Sequence, residues 1–481
     1  MEIETPIHIT EQEQLICSLI LQTINHFQLK TTVRAVGGWV RDKLLGKESH
    51  DFDITVDNMK AEEFSNYFQQ YVNEKTNYRI NGIGNIKLNK DKGKHLETST
   101  LIINGTPIDI CCLRPDDYCQ SSDGKIGTPL EDARRRDFTI NSMFYNINQN
   151  IIEDFTEMGR NDLEKGIIRT PIAPRITLED DPARSLRAIR FSSKMGFIID
   201  EELEQEMCNV YIVNKMNDGI SRERIGKELI GMIETGRVGY CFEFIQKCQY
   251  FTNIFGEIDD DTTVAIIKSY EHYAKQFNCF DSIEHREIGV LAALTWLESN
   301  KTVVCAKKTI GRVQDIILNK IKLSVKEKNN TILVHKGVEE LMKLKNEKKL
   351  ESEEMIKQLE RVELGRIVLE AGDFWKESLF VFASIESPNY QIIGIPTHEI
   401  KMNELYVSKI TQIIEMIQLY QLENVHKLKP FVNGKEIAEI LNRKAGSWLN
   451  MCLRDEIEYQ IAHPQCTKDE VVVFLSNWNK V

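Results

Sequence analysis

The 481-residue sequence contains no Cys-x-x-Cys pair, although it holds 11 cysteines. That absence excludes a dithiol redox motif. Neither the cysteines nor the ten histidines recur at zinc-ligand spacing. Cys111 and Cys112 are adjacent, and the total is odd, so a disulfide framework fits poorly and a reducing compartment fits well. No apolar run approaches the roughly 18–20 residues that a membrane helix needs. The first residues, Met1-Glu2-Ile3-Glu4, are acidic and lack the basic start of a secretory or organelle signal. A cytoplasmic location is therefore expected, with the nucleus open. Basic residues are not in surplus either: 61 Lys and Arg stand against 73 Asp and Glu, a net charge of −12. A global basic coat is excluded, but a local basic groove for nucleic acid is not.

What is present is ordinary for a globular protein: 42% hydrophobic and 28% charged residues. At roughly 150 residues per domain, about three domains are expected. Thr10-x-x-Glu13 is a capping-box pattern, and Leu15, Ile16, Leu19, Ile20 and Ile24 follow at helical spacing. Thr32–Val36 reads as a strand, Gly37-Gly38 breaks it, and Trp39–Leu45 reads as a short helix. His50–Val56 reads as a second strand. Residues 98–113 read as a hairpin turning at Asn104-Gly105. Beyond about residue 182 glycine and proline become sparse and helical periodicity runs to the C-terminus. The Lys326–Lys349 stretch, lysine-rich and mixed in charge, reads as a solvated helix or loop. The fold class expected is an α+β head with a mixed sheet, followed by a long all-α body.

The segment His50-Asp51-Phe52-Asp53 carries the most chemistry. Strand side chains alternate, so Asp51 and Asp53 share a face while Phe52 and Ile54 face the core. Two carboxylates side by side repel unless a cation lies between them. Mg²⁺ suits such a site, because it takes oxygen ligands and completes its shell with water and substrate phosphates. Asp109, on the second hairpin strand, is a candidate third carboxylate. The glycine pair lets a backbone approach a phosphate closely at the start of a helix. Arg41 falls in the first turn of that helix, placed for either a triphosphate contact or a surface ion pair. Gly-Gly, a helix and a strand bearing Asp-x-Asp within about 16 residues form the layout of a nucleotidyltransferase head.

Five ordered blocks make the resemblance specific. They are Gly37–Gly46 with His50–Asp53, Glu131–Ser142, Asp154-Phe155-Thr156 with Gly159 and Asp162-Leu163, Asp180–Phe191, and Ser221–Glu228. In these blocks the sequence resembles the class II CCA-adding tRNA nucleotidyltransferases of the poly(A) polymerase superfamily. Trp39 and the tail Asn433–Ile437 look like the fungal and eukaryotic members. The resemblance implies a metal-dependent, two-metal enzyme that uses CTP and ATP, with tRNA as partner. It implies catalytic roles for Asp51, Asp53 and Asp109, with metal held by Asp51 and Asp53. It implies triphosphate and ribose contacts from Gly37, Gly38, Arg41, Arg136, Asp137 and Asn141. Base recognition falls to Asp180, Asp181, Arg184 and Arg187. Asp180 stands where bacterial members carry glutamate, and Ala183 where leucine is usual.

The chemistry of these residue types agrees. Guanidinium forks match phosphate oxygens bidentately. Cytosine offers an amino donor beside acceptors, so a carboxylate at Asp181 and a guanidinium at Arg184 make a complementary pair. Arg184 and Arg187, at i and i+3, share a helix face. Residues 57–98 hold glycines suited either to a mobile loop or to hairpin turns. The stretch 425–454 carries four net positive charges, with Lys427, Lys435, Arg443 and Lys444 as tRNA-contact candidates. The organisation expected is a head over 1–175, a base-reading neck over 176–255, a body over 256–420 and a tail over 421–481. A monomer is the default. Two rival functions remain at this point: a CC-adding, A-adding or poly(A)-polymerising member of the same superfamily, and an inactive tRNA-binding protein that kept the fold.

Overall fold

The structure, a computed structural model, describes residues 2–3, 7–49, 52–80, 82–86, 98–115, 126–305, 308–387 and 401–479. It divides into two units, Met1–Ser221 and Arg222–Val481.

The first unit starts with β1 (Glu2–Ile3) and α1 (Glu11–His26), where Thr10 and Glu13 form the expected reciprocal capping box. Then come β2 (Val33–Val36), α2 (Gly38–Leu44), β3 (Phe52–Val56), α3 (Ala61–Lys75), β4 (Gly84–Ile86), β5 (Thr98–Ile103) and β6 (Thr106–Cys112). The β5–β6 turn holds Asn104 and Gly105 at φ 48° and 81°, the paired left-handed geometry that a two-residue hairpin loop requires. After α4 (Pro129–Arg135) follow β7 (Phe144–Asn146), β8 (Ile151–Glu153), α5 (Gly159–Lys165), β9 (Ile167–Ile168), α6 (Pro174–Asp180), α7 (Ala183–Met195), β10 (Ile198–Ile199), α8 (Glu201–Met207) and α9 (Val210–Gly219).

One mixed sheet has the order β1-β8-β7-β2-β3-β6-β5-β4. Within it β3 and β6 run parallel, and the other neighbours are antiparallel. Phe52 and Ile54 are buried, as strand alternation predicts. The stretch 57–98, expected to hold a mobile loop or plain turns, opens instead with a helix: Phe64, Phe68 and Val72 of α3 are fully buried at helical spacing. Residues 87–97, including the Asp91–Lys94 turn, lie outside the described residues.

The second unit is predominantly helical, with one break from the expectation. An antiparallel hairpin, Thr302–Cys305 with Lys308–Gly311, interrupts the helices. The lysine-rich stretch is a helix of 22 residues, Val325–Asn346, and not a merely solvated one. Its Thr331, Val334, Val338 and Leu341 are fully buried, while most of its charges, Glu340 excepted, lie outside that buried stripe. Mixed composition masked that 3.6-residue period. Gly289 is required by packing: a Cβ there would lie 1.8 Å from the Tyr270 hydroxyl oxygen. The C-terminal helices Gly434–Ile440, Trp448–Ala462 and Lys468–Ser476 enclose a small core of Val432, Ile437, Trp448, Cys452, Val471 and Leu475. No disulfide links the described cysteines. Among the described residues no helix is long and apolar enough to cross a membrane.

Candidate active site

The parallel pairing of β3 with β6 puts Asp53 directly opposite Asp109. Register partners on adjacent strands point to the same face, so the two carboxylates are neighbours. The Thr100 hydroxyl on β5 donates to Asp109 Oδ1 at 2.6 Å and orients it. Asp109 is exposed and Asp53 half-buried. His50 and Asp51 lie outside the described residues. Among the described residues no group of three or more His, Cys, Asp or Glu is gathered as a metal site. A pair of hard carboxylates open to solvent on one side fits magnesium, which takes oxygen ligands and keeps waters.

The glycine turn lies between β2 and α2. Gly37 sits at φ 70° and ψ −134°, a region that side chains rarely adopt. A Cβ on Gly37 would come within 3.4 Å of Arg136 Nη1, and one on Gly38 within 3.3 Å of Arg41 Nη2. The turn is thus walled by two guanidinium groups. Arg41 is 5% exposed and forms an ion pair with the adjacent Asp42, so the expected ion pair is present but buried. Arg41 donates to Asn141 Oδ1 at 2.7 Å and to Asp42 Oδ1 at 2.8 Å, and its guanidinium lies 5.0 Å from the Phe191 ring centre.

Asp132, which sequence reasoning did not single out, holds Arg136, and Arg114 in turn holds Asp132. Asp132 Oδ2 accepts from Arg136 Nε at 2.9 Å and from Nη2 at 2.7 Å. Its other oxygen accepts from Arg114 Nε at 2.6 Å. Burial would push the Asp132 carboxyl up, but the charges and hydrogen bonds of Arg114 and Arg136 outweigh it and hold it at about 2. The available signal was the i, i+4 spacing of Asp132 and Arg136; nothing local pointed to Arg114.

Asp137 joins the head to α7. Its Oδ2 accepts from Arg187 Nε at 2.9 Å and Nη2 at 2.6 Å. Its Oδ1 accepts from Asn141 Nδ2 at 3.0 Å and the Phe138 N–H at 2.8 Å. Burial alone would raise this carboxyl, yet the Arg187 charge and the Asn141 hydrogen bond keep it well below the usual carboxylate range. Arg184, one turn from Arg187, donates to the backbone carbonyls of Arg135 and Thr177. Arg135 pairs with Asp180. Asp181 Oδ1 accepts the Ala183 N–H at 3.2 Å, at the start of α7. The structure therefore brings Gly37, Gly38, Arg41, Arg136, Asp137, Asn141, Asp180, Arg184 and Arg187 into one neighbourhood. Asp53 and Asp109 form a second group on the sheet.

In the tail, Lys435, Arg443 and Lys444 are exposed and line one shallow groove with Asn433 and Asn442. The Arg443 guanidinium lies 4.8 Å from the Trp448 ring centre. Lys427 is not part of that groove; it pairs with Asp373 at 3.2 Å.

Residues 33–169 match the family model of the poly A polymerase head domain. The chain is 31% identical to the mitochondrial CCA tRNA nucleotidyltransferase of Saccharomyces cerevisiae, over 98% of this chain and 93% of that protein. It is also 31% identical to tRNA nucleotidyltransferase cca1 of Schizosaccharomyces pombe, over 92% and 90%. Among solved structures, the Thermotoga maritima CCA-adding enzyme complexed with tRNA aligns at a TM-score of 0.63 and 18% identity, covering 97% of this chain and 95% of that one. The Bacillus stearothermophilus CCA-adding enzyme in complex with CTP gives 0.63 at 19% identity, covering 97% of each. These two share the fold. With whole-length relatives at this identity, the chain belongs to the CCA tRNA nucleotidyltransferase family.

Proposed function

We propose that this enzyme adds C, C and A to the 3′ end of tRNA from CTP and ATP, using its own side chains instead of a nucleic-acid template. The observation that carries the residue assignments is the arginine-walled glycine turn, joined through Asn141 and Asp137 to Arg187 on α7. The primer's 3′ oxygen bonds to the α-phosphorus as the bond to pyrophosphate breaks. Gly37 and Gly38 leave room for a triphosphate against the backbone. Arg136 and Arg41, held by Asp132 and Asn141, meet its oxygens without first having to be ordered. Asp51, Asp53 and Asp109 would hold magnesium, which when bound neutralises triphosphate charge and acidifies the attacking hydroxyl.

Asp181 and Arg184 read the base. Arg184 offers five N–H groups, two of which the Arg135 and Thr177 carbonyls accept. Those two bonds fix the plane from which the others meet a base. Arg187, locked on Asp137, sets the pitch of the same helix face. Asp180 acts by holding Arg135. The division into head 1–175, neck 176–255, body 256–420 and tail 421–481 follows these roles. The tail groove of Lys435, Arg443 and Lys444 contacts tRNA phosphates. The cytoplasm is the proposed site of action.

Replacing Asp53 with alanine tests the carboxylate assignment. Incorporation of both labelled nucleotides falls by at least about 1,000-fold while tRNA affinity stays within about twofold. Retained incorporation refutes it.

A further inference from the structure

We infer that Glu13, on the helix preceding the matched head domain, is a positioning residue for the glycine turn. The family model begins at residue 33, so α1 lies outside it. The capping box explains only one of the Glu13 carboxylate's three bonds, the Thr10 N–H at 2.8 Å on Oε2. The other two leave the helix. Trp39 Nε1 donates to Oε1 at 2.6 Å, and Lys43 Nζ pairs with Oε2 at 2.7 Å. All three side chains are buried: Glu13 is 7% exposed, Lys43 6% and Trp39 1%.

Trp39 and Lys43 stand at i and i+4 on α2, so one carboxylate ties both ends of that helix to α1. At seven residues α2 is far too short to hold its shape alone, and its orientation is set by such anchors. Gly38 begins this helix and Arg41 lies between its two tied residues. A rotation of α2 displaces Arg41 from Asn141 and reshapes the turn that Arg136 walls. The Trp39 ring also packs edge-on against Phe52, centroids 5.1 Å apart, and Phe52 adjoins Asp53 on β3. Glu13 thereby sets the glycine turn against the carboxylate strand without touching substrate.

This inference rests on the reading that the turn binds the triphosphate. The test uses the full chain carrying Glu13→Gln or Trp39→Phe, with Asp53→Ala as reference. Glutamine removes the charge that Lys43 faces; phenylalanine keeps a ring and removes the indole N–H. Steady-state kinetics are run with CTP, ATP and trimmed tRNA, well below each variant's melting temperature. Both variants should raise KM for CTP and ATP about 10-fold and leave KM for tRNA unchanged. If Glu13→Gln does not fold, Trp39→Phe decides by the same readout. A lowered melting temperature with unchanged nucleotide KM overturns the inference and leaves Glu13 a stability residue. Activity surviving in Asp53→Ala would instead overturn the active-site reading itself.

Discussion

Replacing Asp132 with asparagine removes the charge that two arginines share. The carboxyl sits at about 2 against an ordinary 3.8. At roughly 1.4 kcal/mol per pKa unit, its ionised form is favoured in the fold by roughly 2 to 3 kcal/mol. Asp132 is 1% exposed, so solvent screens little of this. Asparagine offers one acceptor oxygen to two guanidinium groups and turns an amide N–H₂ toward one of them. The loss should therefore reach at least that value. Hydrogen exchange reads it in the first unit alone: the slowest amides of β2, β3 and β6 should exchange at least about tenfold faster at pH 7. The sign with pH follows from the lowered carboxyl. Its contribution is complete above the unfolded value near 4 and fades as pH falls toward 2, so wild type and variant converge in acid. Arg136, released on one side, should also raise nucleotide KM. Exchange within twofold of wild type together with an unchanged nucleotide KM would refute the reasoning.

Two further outcomes are expected. His335 is fully buried, which lowers it to about 4, so the folded second unit refuses a proton that the unfolded chain binds near 6.5. Stability should fall by about 2 kcal/mol between pH 8 and pH 5 from this group. Glu287, raised by burial and neighbouring glutamates to about 7, acts in the opposite direction. The difference between wild type and His335→Gln in urea titrations isolates the histidine, and parallel pH profiles would contradict it. Reversing charge at Lys435 and Arg443 together should weaken tRNA binding and lower the slope of log affinity against log salt by about 2. An unchanged slope removes the tail groove from the tRNA interface.

The local features of the fold were legible because each has a local cause. The Thr10 cap, the Asn104-Gly105 turn and the apolar alternation around Phe52 and Ile54 all announce themselves within a few residues. The pairing of Asp53 with Asp109 was legible only as a candidate, since register belongs to the sheet and not to either strand. What stayed hidden was tertiary. Glu13 satisfies a cap completely in sequence, and nothing nearby shows that Trp39 and Lys43 converge on it. Arg114 is separated from Asp132 by 18 positions, so their bond has no local signature. Arg41 fitted a surface ion pair or a phosphate contact equally well on spacing; its burial against Phe191 and Asn141, with Asp42 as ion-pair partner, had no signature in the local sequence. The helix Val325–Asn346 was obscured because lysines and glutamates alternate with its buried positions and hide the 3.6-residue period.

The reaction proposed for this enzyme is ordered addition of three nucleotides without a nucleic-acid template. The direct measurement is a product ladder from the purified protein, labelled CTP and ATP, and tRNA trimmed of its last three nucleotides. CTP alone should extend the primer by two, ATP alone by none, and both together by three with a stop. A growing run of A residues, arrest after two additions with both nucleotides present, or no extension at all would contradict it.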